Sequence, residues 1–134
     1  MGQRPGWMQL VSKILLCGLL IYLGLGGFAL LSQNSLTYHP RLARPQDEAF
    51  LESYPWLRRV QFSASDGTQL QAVWASPAEG QAVLLFSHGN AGNLLGRIPL
   101  VEKLHSQGLG VFLYDYRGFG RSQGSPGEEG LYQD

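Results

Sequence analysis

Apolar and polar positions change their spacing several times along the chain. From Ile14 to Leu31 the run ILLCGLLIYLGLGGFALL carries no charge. A helix of that length reaches about 27 Å, close to the hydrocarbon thickness of a bilayer. The pattern predicts a transmembrane helix or signal anchor over residues 14–31, after an N-terminal flank of residues 1–13. Gly18, Gly24, Gly26 and Gly27 would weaken a helix in water but are common in membrane helices. The alternatives are a cleaved signal peptide, with Gly27 and Ala29 as a weak small-residue site, and a buried soluble helix.

Residues 32–57 read as a tether. Pro40, Pro45 and Pro55 punctuate it and bias the residues before them to extended backbone. Between them QDEAFLES can form a short helix, with Phe50, Leu51, Tyr54, Trp56 and Leu57 available for packing. From residue 58 the period changes to two. Val60, Phe62 and Ala64 share one face of the first run, and Leu70, Ala72 and Trp74 share a face of the second, with Asp66-Gly67 between the runs. Asp-Gly between alternating stretches signals a hairpin. AVLLF (82–86) is apolar on both faces, the pattern of a strand covered by helices on each side. Ile98, Val101 and Leu104 then recur at helical spacing, with Pro99 suited to a first turn and Gly108 to the helix end. GVFLYDY (110–116) is a second apolar strand. Two such strands joined by a helix make a right-handed crossover and a parallel pair. The expected class is therefore α/β: a leading hairpin and then parallel strands with a crossover helix, over residues 58–134.

Composition narrows the function classes. The 134 residues carry zero formal net charge and only 15% charged side chains, which excludes the basic excess of a nucleic-acid binder. Cys17 is the single cysteine and lies in the apolar run, so no disulfide framework exists within the chain. It reads as an apolar filler, with palmitoylation as the alternative. Met1-Gly2 opens like a myristoylation signal, but Gly6 stands where Ser or Thr is wanted. Arg4 and Lys13 before the run balance Arg41 and Arg44 after it. The N-terminal amine then favours a cytoplasmic N-terminus and a domain on the far side. The expected location is a membrane, with a single pass.

Function in open α/β sheets collects at the carboxyl ends of the strands. Here those ends are Ser87–Asn93, SHGNAGN, and Asp115–Gly130, DYRGFGRSQGSPGEEG. The first is either a plain strand-to-helix turn with an Asn cap, or an anion site built of backbone N–H groups. It holds no Lys and no P-loop spacing. Gly118-Phe-Gly120 lacks the third glycine of a dinucleotide fingerprint. Gly120-Arg-Ser122-Gln-Gly124 matches the Gly-x-Ser-x-Gly nucleophile motif. The motif needs an apolar strand running straight into its first glycine and a helix straight after its last. Neither is present in this sequence, so Ser122 reads as a decoy. The three histidines, His39, His88 and His105, have no metal-ligand spacing.

LLFSHGNAGN, the helix, VFLYDYRGFGRSQGSPGEEGLYQD and the preceding Asp-Gly hairpin together resemble the N-terminal part of the α/β-hydrolase superfamily. More narrowly they are similar to its membrane-anchored, serine aminopeptidase- and lysophospholipase-like branch, over about residues 60–134. The resemblance implies that Asn90 gives one backbone N–H of an oxyanion hole. It makes His88 a structural brace rather than a base, with Gly89 and Gly92 shaping the same loop. It makes Asp115, Arg117, Gly118, Gly120 and Ser122 the floor of the site. It implies an acyl-enzyme route on ester, thioester or amide bonds of an acyl-containing small molecule, lipid or peptide, with no metal or organic cofactor. It also places the nucleophile elbow, the acid and the catalytic His beyond Asp134. The expectation is a catalytically incomplete chain whose AVLLFS strand is left as an open sheet edge, with both sheet faces poorly covered. The alternative is a non-catalytic membrane-tethered remnant or interaction subunit.

Overall fold

The computed structural model describes residues 5–134. Met1–Arg4, with the Met-Gly start and the Arg4 charge, lie outside the described residues. The chain divides into two compact units, Met1–Leu36 and Thr37–Asp134.

In the first unit a single helix, α1 (Gly6–Thr37), takes in the apolar run and extends past it on both sides. None of its described residues is buried. It is long and apolar enough to cross a membrane.

The second unit is built on a four-stranded sheet. Its elements run β1 (His39–Pro40), α2 (Gln46–Glu52), β2 (Leu57–Ser63), β3 (Gln69–Ala75), β4 (Val83–Ser87) and β5 (Ala91–Gly92). A 3-10 turn (Leu94–Arg97), α3 (Ile98–His105), β6 (Gly110–Asp115) and α4 (Glu128–Gln133) follow. The strand order is β2-β3-β6-β4. β2 and β3 pair antiparallel, with Phe62 opposite Leu70 and Val60 opposite Ala72, as the alternation predicts. Their turn is closed by Asp66, whose Oδ1 accepts from Thr68 N–H at 3.0 Å, and by Gly67 at φ +88°. A positive φ there is what Gly supplies without strain. β4 and β6 pair in parallel through the α3 crossover, the register setting Leu84 beside Val111 and Phe86 beside Leu113.

One face of the sheet carries the core. Leu57, Val73, Ala75, Val111 and Leu113 pack against Leu94, Leu95, Ile98 and Val101. The stripe on α3 is the one its spacing predicts, and Pro99 sits in its first turn. The opposite face holds Phe62, Trp74, Phe112 and Tyr114 in edge and tilted contacts, all half-buried.

Three expectations are corrected here. AVLLF is not buried: Val83, Leu84 and Leu85 are 49%, 38% and 71% exposed, because β4 is an edge strand paired only with β6. The open edge expected of this strand is what the structure has. The expectation that both sheet faces are poorly covered is half right, since α3 and the 3-10 turn close one of them. The stretch read as a tether is docked from Thr37 onward. β1 pairs with β5, and Leu42 bridges to Gly120. An edge-to-face chain of Phe50, Tyr54 and Trp56, ending in a stack of Trp56 on His105, fastens α2 and the residues after it to α3. Aromatic pairs of this kind add stability beyond their area burial. A proline-punctuated sequence shows where the chain is extended, not whether it is free.

Candidate functional site

Both strand-end loops meet at the carboxyl edge of the sheet, and Asp115 joins them. Its side chain is 3% exposed. Its Oδ1 accepts from Leu94 N–H at 2.6 Å, in the first turn after the β4 loop, and faces His88 Nε2 at 3.0 Å. The His88 ring is fully buried between the edges of Tyr116 and Phe119. Its other nitrogen, Nδ1, lies 2.7 Å from the Gly89 carbonyl. A carbonyl only accepts, so Nδ1 is the donor in that contact.

That contact has a geometric result. The Gly89 carbonyl belongs to the same planar peptide unit as the Asn90 N–H. In a trans peptide the two point in opposite directions. Fixing the carbonyl on His88 therefore fixes the direction of the Asn90 N–H, and among the described residues no backbone group accepts from it. A carbonyl that accepts a hydrogen bond also makes its own peptide N–H a stronger donor.

The remaining loop residues divide between turn geometry and bracing. Gly92 is at φ +84°, a conformation side-chain-bearing residues rarely adopt. Asn93 caps the 3-10 turn, its Oδ1 accepting from Leu95 N–H at 3.2 Å. The Asn cap of the plain-turn reading is present here, on Asn93. In the β6 loop, Gly120 has φ +54°, and any Cβ there would strike the Asp115 carboxylate. Gly118 has φ +76° and packs on Pro126.

Ser122 is buried. Its hydroxyl donates to the Asp115 carbonyl at 2.7 Å and accepts from Gln71 N–H at 3.0 Å. Both directions of the hydroxyl are used to tie the loop to β3. Arg117 points to the hairpin and the chain end. Its Nη1 donates to Asp66 Oδ2 at 2.9 Å, and its Nε and backbone N–H each donate to Asp134 at 2.8 Å. The hydrogen bond from Arg117 holds the Asp66 carboxyl down at about 2. Gly130 of α4 has no room for a Cβ against the Arg117 side chain.

Reading the sequence missed the residues that fasten the docked stretch. Asp47 is 6% exposed; it accepts from Arg44 N–H and pairs with Arg41, each at 2.8 Å. The signal was an acidic residue in the first turn of a short helix after Pro45. Asp66 and Asp134, the partners of Arg117, carried no separate signal. A cavity of about 100 Å³ lies among Asp47, Glu48, Arg59, Asn93, Leu94 and Asp115, without reaching Asn90.

Several known proteins are similar to this chain. The serine aminopeptidase S33 family matches residues 78–134. The Escherichia coli (strain K12) protein YfhR is 42% identical over 86 residues, which are 60% of this chain and 30% of YfhR. The lysophosphatidylserine lipase ABHD12 of Macaca fascicularis is 29% identical over 163 aligned positions, covering 100% of this chain and 41% of that enzyme. The chain thus spans well under half the length of these relatives. Among solved structures, an α/β-hydrolase from Vibrio vulnificus superposes with a TM-score of 0.57 at 24% identity, over 68% of this chain and 32% of that one. That likeness carries the fold.

Proposed function

Since the chain belongs to the α/β-hydrolase superfamily, we propose that it forms the N-terminal part of a membrane-anchored serine hydrolase that cleaves acyl bonds through an acyl-enzyme. Asn90 N–H is one donor of the oxyanion hole. His88 and Asp115 hold it, and Gly89, Gly92, Arg117, Gly118 and Gly120 shape the two loops. The observation that carries this reading is the pinned peptide unit between Gly89 and Asn90. A donor aimed before the reaction begins costs no reorganisation when charge develops on the substrate oxygen.

The nucleophile is not Ser122, whose hydroxyl is committed on both sides. These residues then hold a seat for an oxyanion without the serine that generates one, and they are inactive by themselves. Removing one oxyanion donor costs about 10²–10³ in rate, whereas removing the triad leaves only about 10³–10⁴ over water. The favoured substrates are acyl lipids or other esters. The lipase among the relatives and the apolar α1, as an anchor at a bilayer, both favour them.

The test is a fluorophosphonate probe on carbonate-washed membranes carrying the chain. The chain stays in the pellet and takes no label. Extension of the coding sequence through a Gly-x-Ser-x-Gly set between strand and helix restores label at that serine. Release by carbonate removes the anchor from the reading. Label that disappears in Ser122→Ala removes the argument against Ser122. An extended chain that never labels removes the hydrolase itself.

A further inference from the structure

The stretch between α1 and α2 makes its backbone hydrogen bonds to the two site loops rather than to the main sheet. His39 N–H donates to the Asn90 carbonyl at 2.8 Å, and Arg41 N–H to the Gly92 carbonyl at 2.8 Å. Ala43 N–H donates to the Gly120 carbonyl at 2.9 Å, and Gly120 N–H returns a bond to the Arg41 carbonyl at 3.1 Å. Two side chains add to this. Asn90 Nδ2 donates to the Thr37 carbonyl at 2.7 Å, and Asn93 Nδ2 to the Arg41 carbonyl at 3.2 Å. The strap is itself pinned at its far end by buried Asp47, through Arg41 and the Arg44 amide.

At Asn90 these bonds close around a single Cα. The peptide unit before it is fixed through the Gly89 carbonyl on His88. The unit after it is fixed through the Asn90 carbonyl on His39 N–H. With both neighbouring planes held, the two soft dihedrals of Asn90 are restrained from either side. A catalytic donor needs this, because a shift of about 1 Å in a reacting geometry can cost about 10²-fold in rate.

We propose that the strap Thr37–Ala43 is a positioning element for the oxyanion loop, with the Asn90 side chain and Asp47 as its positioning residues. The proposal rests on the reading of the Asn90 N–H as an oxyanion donor. Asn90 then has two separable parts: a backbone amide that faces the substrate, and a side chain that acts on the loop through the strap. Asp47 touches no substrate and acts through Arg41 and Arg44.

The experiment is site-resolved hydrogen exchange on the whole chain in detergent micelles, with Asn90→Ala, Asp47→Ala and Asp47→Asn. Asn90→Ala keeps the residue-90 amide and removes only the bond to Thr37. It raises exchange at the His39, Arg41, Ala43 and Gly120 amides by about tenfold, the loss of one net hydrogen bond. Asp47→Ala does the same. Asp47→Asn, which keeps an acceptor for the Arg44 amide, recovers part of the protection. Amides of β3 and β6 keep their rates. Strap amides that exchange at the wild-type rate overturn the clamp. Equal acceleration in β3 and β6 also overturns it, since that is general destabilisation. The catalytic half is read in the extended chain that carries the serine, where Asn90→Ala lowers kcat and leaves KM in place. Faster strap exchange with unchanged kcat overturns the positioning role and counts against the oxyanion reading, while leaving the clamp itself in place.

Discussion

Strands β4 and β6 lie side by side, run parallel, and each end in one of the site loops, yet their surroundings are opposite. β6 is paired on both sides, and its Val111 and Leu113 are fully buried. β4 is paired on one side, and its Leu85 is 71% exposed. The loop after β4 is nonetheless tightly specified: His88 is buried on Asp115, and Asn90 is held by the strap. Its order comes from the neighbouring loop and from a stretch about fifty residues earlier in sequence, not from the strand that leads into it. A loop residue here is positioned by what crosses over it, so an edge strand can carry a tightly held loop.

The largest expected effect tests whether the order of the β4 loop does come from β6. Asp115→Ala removes the partner of a buried imidazole and the acceptor of the Leu94 amide at once. A buried polar group left without its partner costs about 1–3 kcal/mol, and two are left here. Thermal unfolding in micelles should fall accordingly, with the Leu94 amide losing its protection. A loss under about 1 kcal/mol, with the Leu94 amide still protected, would mean that the β4 loop holds itself.

A paired substitution measures the difference between the strands directly. Leu113→Ala opens a cavity in the covered face and costs about 2–5 kcal/mol. Leu85→Ala, in the neighbouring strand, stays within about 0.5 kcal/mol, because the side chain is already in solvent. Chemical denaturation of the two variants side by side is sufficient. Equal costs would mean that β4 is covered in solution.

Most of the strand and helix pattern was legible because it rests on local periodicity. The hairpin around Asp66-Gly67, the crossover helix with Pro99 in its first turn, and the apolar run inside α1 all follow from spacing within a few residues. The exposure of β4 was not legible from AVLLF alone, because burial depends on which neighbours arrive. The resemblance did anticipate its open edge. The resemblance implied a brace role for His88, and in the fold both ring nitrogens have partners, neither of which local spacing points to. The strap lay outside any local pattern. Its contacts are backbone groups, which leave no trace in side-chain type, and its one side-chain signal, Asp47, resembles any acid at a helix start. Arg117 was expected on the floor of the site, but its partners Asp66 and Asp134 lie far from it in sequence.

The smallest effect concerns that arginine, and it contrasts the two loops once more. The β4 loop is fastened at its base by the buried His88–Asp115 contact, whereas the Arg117 cluster is partly open, Asp66 keeping a third of its side-chain surface. Its hydrogen bond with Arg117 holds the Asp66 carboxyl at about 2, below the ordinary 3.8. A carboxyl depressed in the folded state contributes stability that is complete above its unfolded value and is lost as pH falls through its folded value. The tie between the hairpin turn and Arg117 should therefore persist at pH 4 and weaken toward about pH 2. Salt should weaken it further, since an exposed pair is screened. Acid titration followed at the Leu131 and Asp134 amides of the α4 end reads this, with Asp66→Asn as the reference. The wild type and the variant should converge as the carboxyl protonates, while the buried His88–Asp115 contact gives no such salt dependence. Convergence that begins well above pH 4 would mean that Asp66 is not held by Arg117 in solution. The difference between an open ionic tie and a closed polar lattice would then have to be drawn elsewhere in the molecule.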